Sequence, residues 1–427
     1  MQIIENKKIK EKLYMEKLEN GLTVMVIPKK GIKKKYIIWG TNYGSLDNKF
    51  IIPGEDTQVE VPDGVAHFLE HKLFEQEGKA NSLDTLSSLG VNANAYTTND
   101  HTAYLYECTD NFYEALDEFM DFVQHPYFTD ENVEKEKGII IQEINMYQDY
   151  PEYVLYMNAI KAMYKNSPVT IDIAGTEDTV NKIDKDILYK CYNTFYTPSN
   201  MAMVITGDFV PEEIIEEIKK RLTDKKGTSE IKRIYPDEPN EIVEKNVETS
   251  MDISMPLFLI GFKDLQKLSK NIIKKTIAIE IILNILVGKS SNLYKKLYSE
   301  GVVSSEIGFD YECTRNYAHV IIQGQTTNIK SLEENFNTEI KNIKNNGLNI
   351  DDFERTKKAI YGSYVKVFNN VQEISTMFLA DYFKGVNSLD YLEEYNAVTK
   401  EYTEEIMKNI FKEEQMVIST VTPKNED

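Results

Sequence analysis

Two histidines one helical turn apart, His67 and His71, constrain this chain more than any other feature. Residues at i and i+4 share one face of an α-helix, so both imidazoles can reach a common point if residues 67–71 are helical. Glu70 stands between them, next to the second histidine. The pattern His-Phe-Leu-Glu-His suits a zinc ion held by two imidazoles, with a carboxylate beside the bound water. The whole chain has 5 histidines, and two of them are here. The competing reading is a surface helix that carries two histidines by chance.

A catalytic zinc usually takes three protein ligands, so a third must come from another element. The run from Thr129 to Tyr147 has an acidic, capped start and reads as a long helix. Glu136 and Glu143 lie two turns apart and share one of its faces. Glu143 follows Ile139, Ile140 and Ile141, and a carboxylate buried in such a stretch needs a partner, for which a metal is well suited. Glu136 suits a supporting role, accepting a hydrogen bond from a ligating histidine. A solvated acidic face accounts for Glu131 and Glu134 better than for Glu143.

With these residues in view, the chain resembles the pitrilysin/insulinase metallopeptidases, the inverzincins, whose pattern is His-x-x-Glu-His followed farther on by a glutamate. Carried across position by position, the resemblance implies that His67, His71 and Glu143 bind one zinc per chain. It implies Glu70 as the general base and Glu136 as the supporting catalytic acid. Segments 21–28, 43–47, 90–97, 174–177 and 198–201 also look like family signatures. In the family, the strand matching 90–97 is the edge on which substrate is laid, which implies that Asn94, Ala95 and Tyr96 bind the peptide. The nearest likeness is to small bacterial members. Manganese or cobalt could occupy the same ligand set.

The chain reads as built twice. A polar stretch rich in charge, with Gly227, Pro236 and Pro239, marks a linker at 226–241 between an N-terminal domain at 1–225 and a C-terminal one at 242–427. In each half a helix ends at Gly-Val (Gly90-Val91, Gly301-Val302) and leads into a strand pair. Aligned on those glycines, His67 falls opposite Ala278, in an apolar segment without histidine, so the second half is expected to lack a metal. The family plan agrees: an α+β fold of two homologous α/β-sandwich domains in tandem, together half of a peptidase chamber. Strands are expected at 23–27, 36–39, 102–107, 201–206, 257–261 and 320–323, and a helix at 111–123 with Phe112, Ala115, Leu116, Phe119 and Phe122 inward.

A net charge of −20 argues against a nucleic-acid ligand. No apolar run of about 18 residues suggests a membrane span, and the start lacks a signal peptide's apolar core. The 3 cysteines, Cys108, Cys191 and Cys313, show neither metal spacing nor a disulfide framework, so a cytoplasmic setting is expected. His101, His125 and His319 read as turn, loop and strand residues.

The expected activity is endopeptidase cleavage of peptides or unfolded segments. The family completes its site with an arginine and a tyrosine from a C-terminal domain. Segment 298–306 carries neither at the expected places, and Arg315 and Tyr317 fit a strand turn. The resemblance therefore implies a dimeric chamber, with this chain as the metal-bearing subunit of a heterodimer whose partner supplies those donors. A homodimer using other donors is the alternative. Two further readings are a non-catalytic assembly subunit and a maturation protease for a ribosomally made peptide.

Overall fold

The computed structural model describes residues 1–424 apart from Lys267 and Lys270. Two compact units emerge. The first holds 1–144, 171–235 and 365–389, and the second holds 145–170, 236–364 and 390–427.

The first unit is organised by a seven-stranded sheet ordered Gln2–Asn6, Glu11–Lys17, Thr23–Pro28, Met201–Gly207, Lys35–Thr41, Thr102–Cys108 and Asn92–Thr97. Thr23–Pro28 and Met201–Gly207 pair in parallel and are near-continuous apolar runs, as strands covered on both faces must be. Asn92–Thr97 closes one edge, antiparallel to Thr102–Cys108. A small three-stranded sheet of Lys232–Arg233, Lys49–Ile51 and Gln58–Glu60 accompanies it.

The second unit repeats the plan. Its five strands run Asn246–Met251, Met416–Pro423, Leu257–Lys263, Ala318–Gln325 and Gly308–Cys313. Asn246–Met251 and Met416–Pro423 pair in parallel, as Thr23–Pro28 and Met201–Gly207 do, and the other pairs are antiparallel. Setting aside Gln2–Asn6, Glu11–Lys17 and the small sheet, which the first unit adds, both units pass through two strands, two helices, an antiparallel strand pair, a series of helices and a returning strand.

The Gly-Val repeat has a structural meaning. Helix Ser82–Ser88 ends with Gly90 at φ +74°, its N–H bonded to Ser87 O, and Val91 N–H bonded to Leu86 O. Helix Asn292–Ser299 ends with Gly301 at φ +69°, bonded to Tyr298 O, and Val302 N–H bonded to Leu297 O. This is the left-handed helix stop that favours glycine.

The expected split into continuous blocks differs from the compact units. The break at Tyr235/Pro236 lies inside the expected linker, but each unit takes a helix from the other sequence half. Helix Pro151–Met163 buries Leu155, Ala159, Ile160 and Met163 and packs on strands Leu257–Lys263 and Met416–Pro423. Ser419 Oγ donates to Leu155 O at 2.9 Å. Reciprocally, helix Val371–Lys384 packs on Met201–Gly207 and Lys35–Thr41, where Ser375 and Thr206 hydroxyls meet at 2.7 Å. Each sheet is hydrophobic on a face that its own half leaves uncovered, and burial there, about 1.5–3 kcal/mol per large apolar side chain, fixes the exchange.

Candidate metal centre

The two motif histidines lie on helix Val65–Lys72. Eight residues are too few for a stable helix in water, so packing must hold it. Val65, Ala66, Phe68 and Leu69 are buried, against the edge strand and helix Lys185–Phe195. Gly64 starts the helix at φ +93°, and a Cβ there would lie 2.4 Å from Ala174 O. Segment 174–177, noted in the sequence as a signature, thus clamps the helix start.

Helix Asp130–Gln148 brings Glu136 and Glu143 to the same place. Glu143 Oε2 lies 3.7 Å from His67 Nε2 and 3.5 Å from His71 Nε2. One ligand atom from each of the three residues falls within a 4.8 Å cluster. Tetrahedral zinc with bonds of about 2.0–2.1 Å spaces its ligand atoms by roughly 3.4 Å, so the donor set fits with small closure. Glu136 Oε1 lies 3.0 Å from His71 Nδ1. That contact holds the proton on Nδ1 and leaves the Nε2 lone pair toward Glu143. His67 Nδ1 is buried without a hydrogen-bond partner among the described residues. Around the two acids the structure differs from the sequence expectation. Ile139 is 48% exposed and Glu143 is only partly covered, while Ile140 and Ile144 carry the packing of this helix.

The electrostatics are arranged for metal binding. Burial, reinforced by the neighbouring His71, drops the His67 pKa to about 3, so this imidazole is neutral near pH 7. Burial works against a charged His71, but the Glu136 hydrogen bond and the carboxylates of Glu70, Glu136 and Glu143 outweigh it and raise its pKa. Burial also opposes the Glu136 carboxylate, yet His71 and Lys72 hold it below the usual range. Burial raises Glu70, and a hydrogen bond from Thr97 partly offsets this.

That threonine was not legible as a site residue. Thr97 Oγ1 donates to Glu70 Oε2 at 2.7 Å. Strand alternation puts Ala95 and Thr97 on the side of the metal helix. Tyr96 points to the opposite face, where its ring meets His101 edge-on and its hydroxyl lies 3.4 Å from His101 Nε2. Asn94 is exposed, and its Oδ1 accepts from Ala95 N at 2.9 Å.

The other histidines stand apart from the cluster. His101 is buried at the turn before its strand, with Nδ1 2.7 Å from Asp100. His125 caps helix Phe112–Gln124, and His319 is enclosed in a strand against Tyr164 and Tyr317. All three cysteines are buried. Tyr317 is buried and donates to Glu312. No described helix is long and apolar enough to cross a membrane.

Known proteins match this arrangement along the whole chain. The family model described as insulinase (peptidase family M16) covers residues 58–177, and that of the peptidase M16 inactive domain covers 182–360. The uncharacterized zinc protease YmfH of Bacillus subtilis is 38% identical over 426 residues, 99% of each chain. The mitochondrial-processing peptidase subunit beta of Dictyostelium discoideum is 26% identical over 178 residues, 40% of this chain and 38% of that protein. The crystal structure of an M16-like peptidase from Alicyclobacillus acidocaldarius superposes with a TM-score of 0.93 at 32% identity, covering 99% of this chain and 100% of the other. Two tandem units of one plan, a metal-ligand cluster in the first alone among the described residues, and a close relative of equal length lead to one conclusion: this chain belongs to peptidase family M16, the pitrilysin/insulinase metallopeptidases.

Proposed function

We propose that the chain is a zinc-dependent endopeptidase acting on peptides or unfolded segments. The observation that carries the reading is the convergence of His67, His71 and Glu143 beside Glu70, whose carboxylate is tied to the sheet edge through Thr97. When bound, zinc supplies Lewis acidity that acidifies a water and polarises the scissile carbonyl. Glu70 takes a proton from the attacking water and passes it to the leaving amine as the C–N bond breaks. Its upward-shifted pKa suits both transfers. Glu136 keeps His71 in the required tautomer. The edge strand Asn92–Thr97 pairs the substrate backbone by β-augmentation, which reads little side-chain sequence.

We also infer that the chain works as the metal-bearing subunit of a dimeric chamber in the cytoplasm. Tyr317, a tyrosine close to the stretch where the family places its oxyanion donors, is committed to Glu312. A relative is named as a subunit. Donors from a second subunit would complete the site, each contributing about 3–4 kcal/mol to the transition state.

The test is hydrolysis of quenched, unstructured peptides by the zinc-loaded chain, with Glu70→Gln as control. Cleavage abolished by that substitution supports the peptidase reading and a self-sufficient homodimer. Stoichiometric zinc without cleavage supports the partner reading. Cleavage that survives Glu70→Gln contradicts the mechanism.

A further inference from the structure

Lys72 follows His71 on the metal helix, and its side chain is only 1% exposed. Lysine is almost never buried so fully unless it is paired. Here Nζ lies 3.4 Å from Glu136 Oε2 and also bonds the carboxylate of Glu75. The other oxygen of Glu136, Oε1, is the one that meets His71 Nδ1. One carboxylate is therefore pinned at both ends, by a lysine and by a histidine that are consecutive in sequence.

We propose that Lys72 is a positioning residue for the metal centre, acting through Glu136; this rests on the zinc reading above. A carboxylate bonded at one oxygen can swing about its χ3 axis. Bonded at both, it presents Oε1 to His71 Nδ1 in one orientation, and that fixes the direction of the His71 Nε2 lone pair. Remove the lysine and Oε2 is left as a largely buried acceptor without its cation, which favours turning the carboxylate toward water. That turn costs the His71 contact. Partners of this kind behind a ligating histidine typically contribute 10–100-fold in metal affinity.

A second effect opposes this one, and the sign of the result separates them. Lys72 also places a positive charge near a site for a dication. If it acted only through that charge, its removal would tighten zinc binding. Glu75 neutralises part of the charge, so positioning should win.

The experiment is zinc affinity of the full chain by competition with a chromophoric chelator, for wild type, Lys72→Met, Glu136→Gln and the double variant. Lys275→Met, which removes a buried lysine paired with Asp264 in the second unit, controls for general loosening and should leave affinity unchanged. The expected result is binding weakened about 10–100-fold in Lys72→Met and less than about 2-fold further loss when the same change is made in Glu136→Gln. Unchanged or tighter binding in Lys72→Met, or an equal loss in the Glu136→Gln background, overturns the proposal. Should Lys72→Met not fold, Lys72→Gln takes its place in the same cycle, with a smaller loss expected and the same criterion. Wild type that takes up no zinc overturns the zinc reading and this role together; normal wild-type binding with no effect of Lys72 overturns this role alone.

Discussion

The two units share the order of five sheet strands, a pairing pattern and a glycine helix stop, yet differ in the helix that precedes the one ending at that stop. In the first unit this is the short helix Val65–Lys72, which carries two histidines, a glutamate and a buried lysine. In the second it is Ile272–Val287, where Ile277, Ala278, Ile279, Ile281, Ile282 and Leu283 are all buried. The scaffold holds with either sequence, so it does not require the metal chemistry. What the chemistry requires is a set of polar groups with partners: His71 has Glu136, Glu136 has Lys72, and Glu70 has Thr97. Glu280, the carboxyl on the second helix, has no such side-chain partner among the described residues. Burial, with Asp310 nearby, pushes its pKa up to about 7.

The sharpest test of this contrast is loss of the base. Glu70→Gln should reduce peptide hydrolysis by about 10²–10⁴-fold with zinc still bound, measured as kcat on a quenched peptide with metal analysis in parallel. Glu280→Gln should leave both unchanged.

Next in size is the exchanged-helix architecture. Ile160→Ala and Leu379→Ala each remove a fully buried side chain from a helix supplied by the other sequence half. Each should cost about 2–5 kcal/mol in denaturant unfolding. A cost below about 0.5 kcal/mol in either would argue that the exchanged helices do not build the cores.

Glu280 comes third, and its sign can be worked out. Its folded pKa is raised from 4.5 to about 7, so the native state holds the proton more tightly than the unfolded chain. Stability is therefore fully present below pH 4.5 and falls as pH rises toward 7. Above pH 7 the ionised group costs about 3 kcal/mol. Glu280→Gln should melt higher than wild type at pH 8, with the gain shrinking on acidification. A gain independent of pH would contradict the assignment.

The smallest effect belongs to Thr97. Thr97→Val keeps the strand shape and removes only the hydroxyl. A lost hydrogen bond to a carboxylate, about 1.5–3 kcal/mol, predicts roughly 10–100-fold lower kcat with zinc affinity intact. Thr97→Ser should restore most of it. Equal losses in both variants would point to packing instead.

Much of this was readable in the chain because it rests on local spacing. Residues 67–71 name a helix and its chemistry together, and Glu136 and Glu143 share a helical face. The Gly-Val pairs foretold the repeat because a left-handed stop is a local event. What escaped was set by tertiary partners. Thr97 reads as an ordinary strand residue until the metal helix lies across it. Lys72 reads as a surface lysine until Glu136 arrives from a different helix. Strand alternation turns the Tyr96 ring away from the metal side, which the motif alone does not tell. The helix exchange carries no local mark, because Leu155 and Leu379 would look the same on either core.

Whether His67, His71 and Glu143 hold a zinc ion is tested by zinc stoichiometry in the full chain and in His71→Ala, Glu143→Ala and Glu70→Gln. One zinc per chain is expected in wild type and in Glu70→Gln, and loss of tight zinc in the other two. Zinc retained in all four proteins, or absent from wild type, would contradict that ligand set.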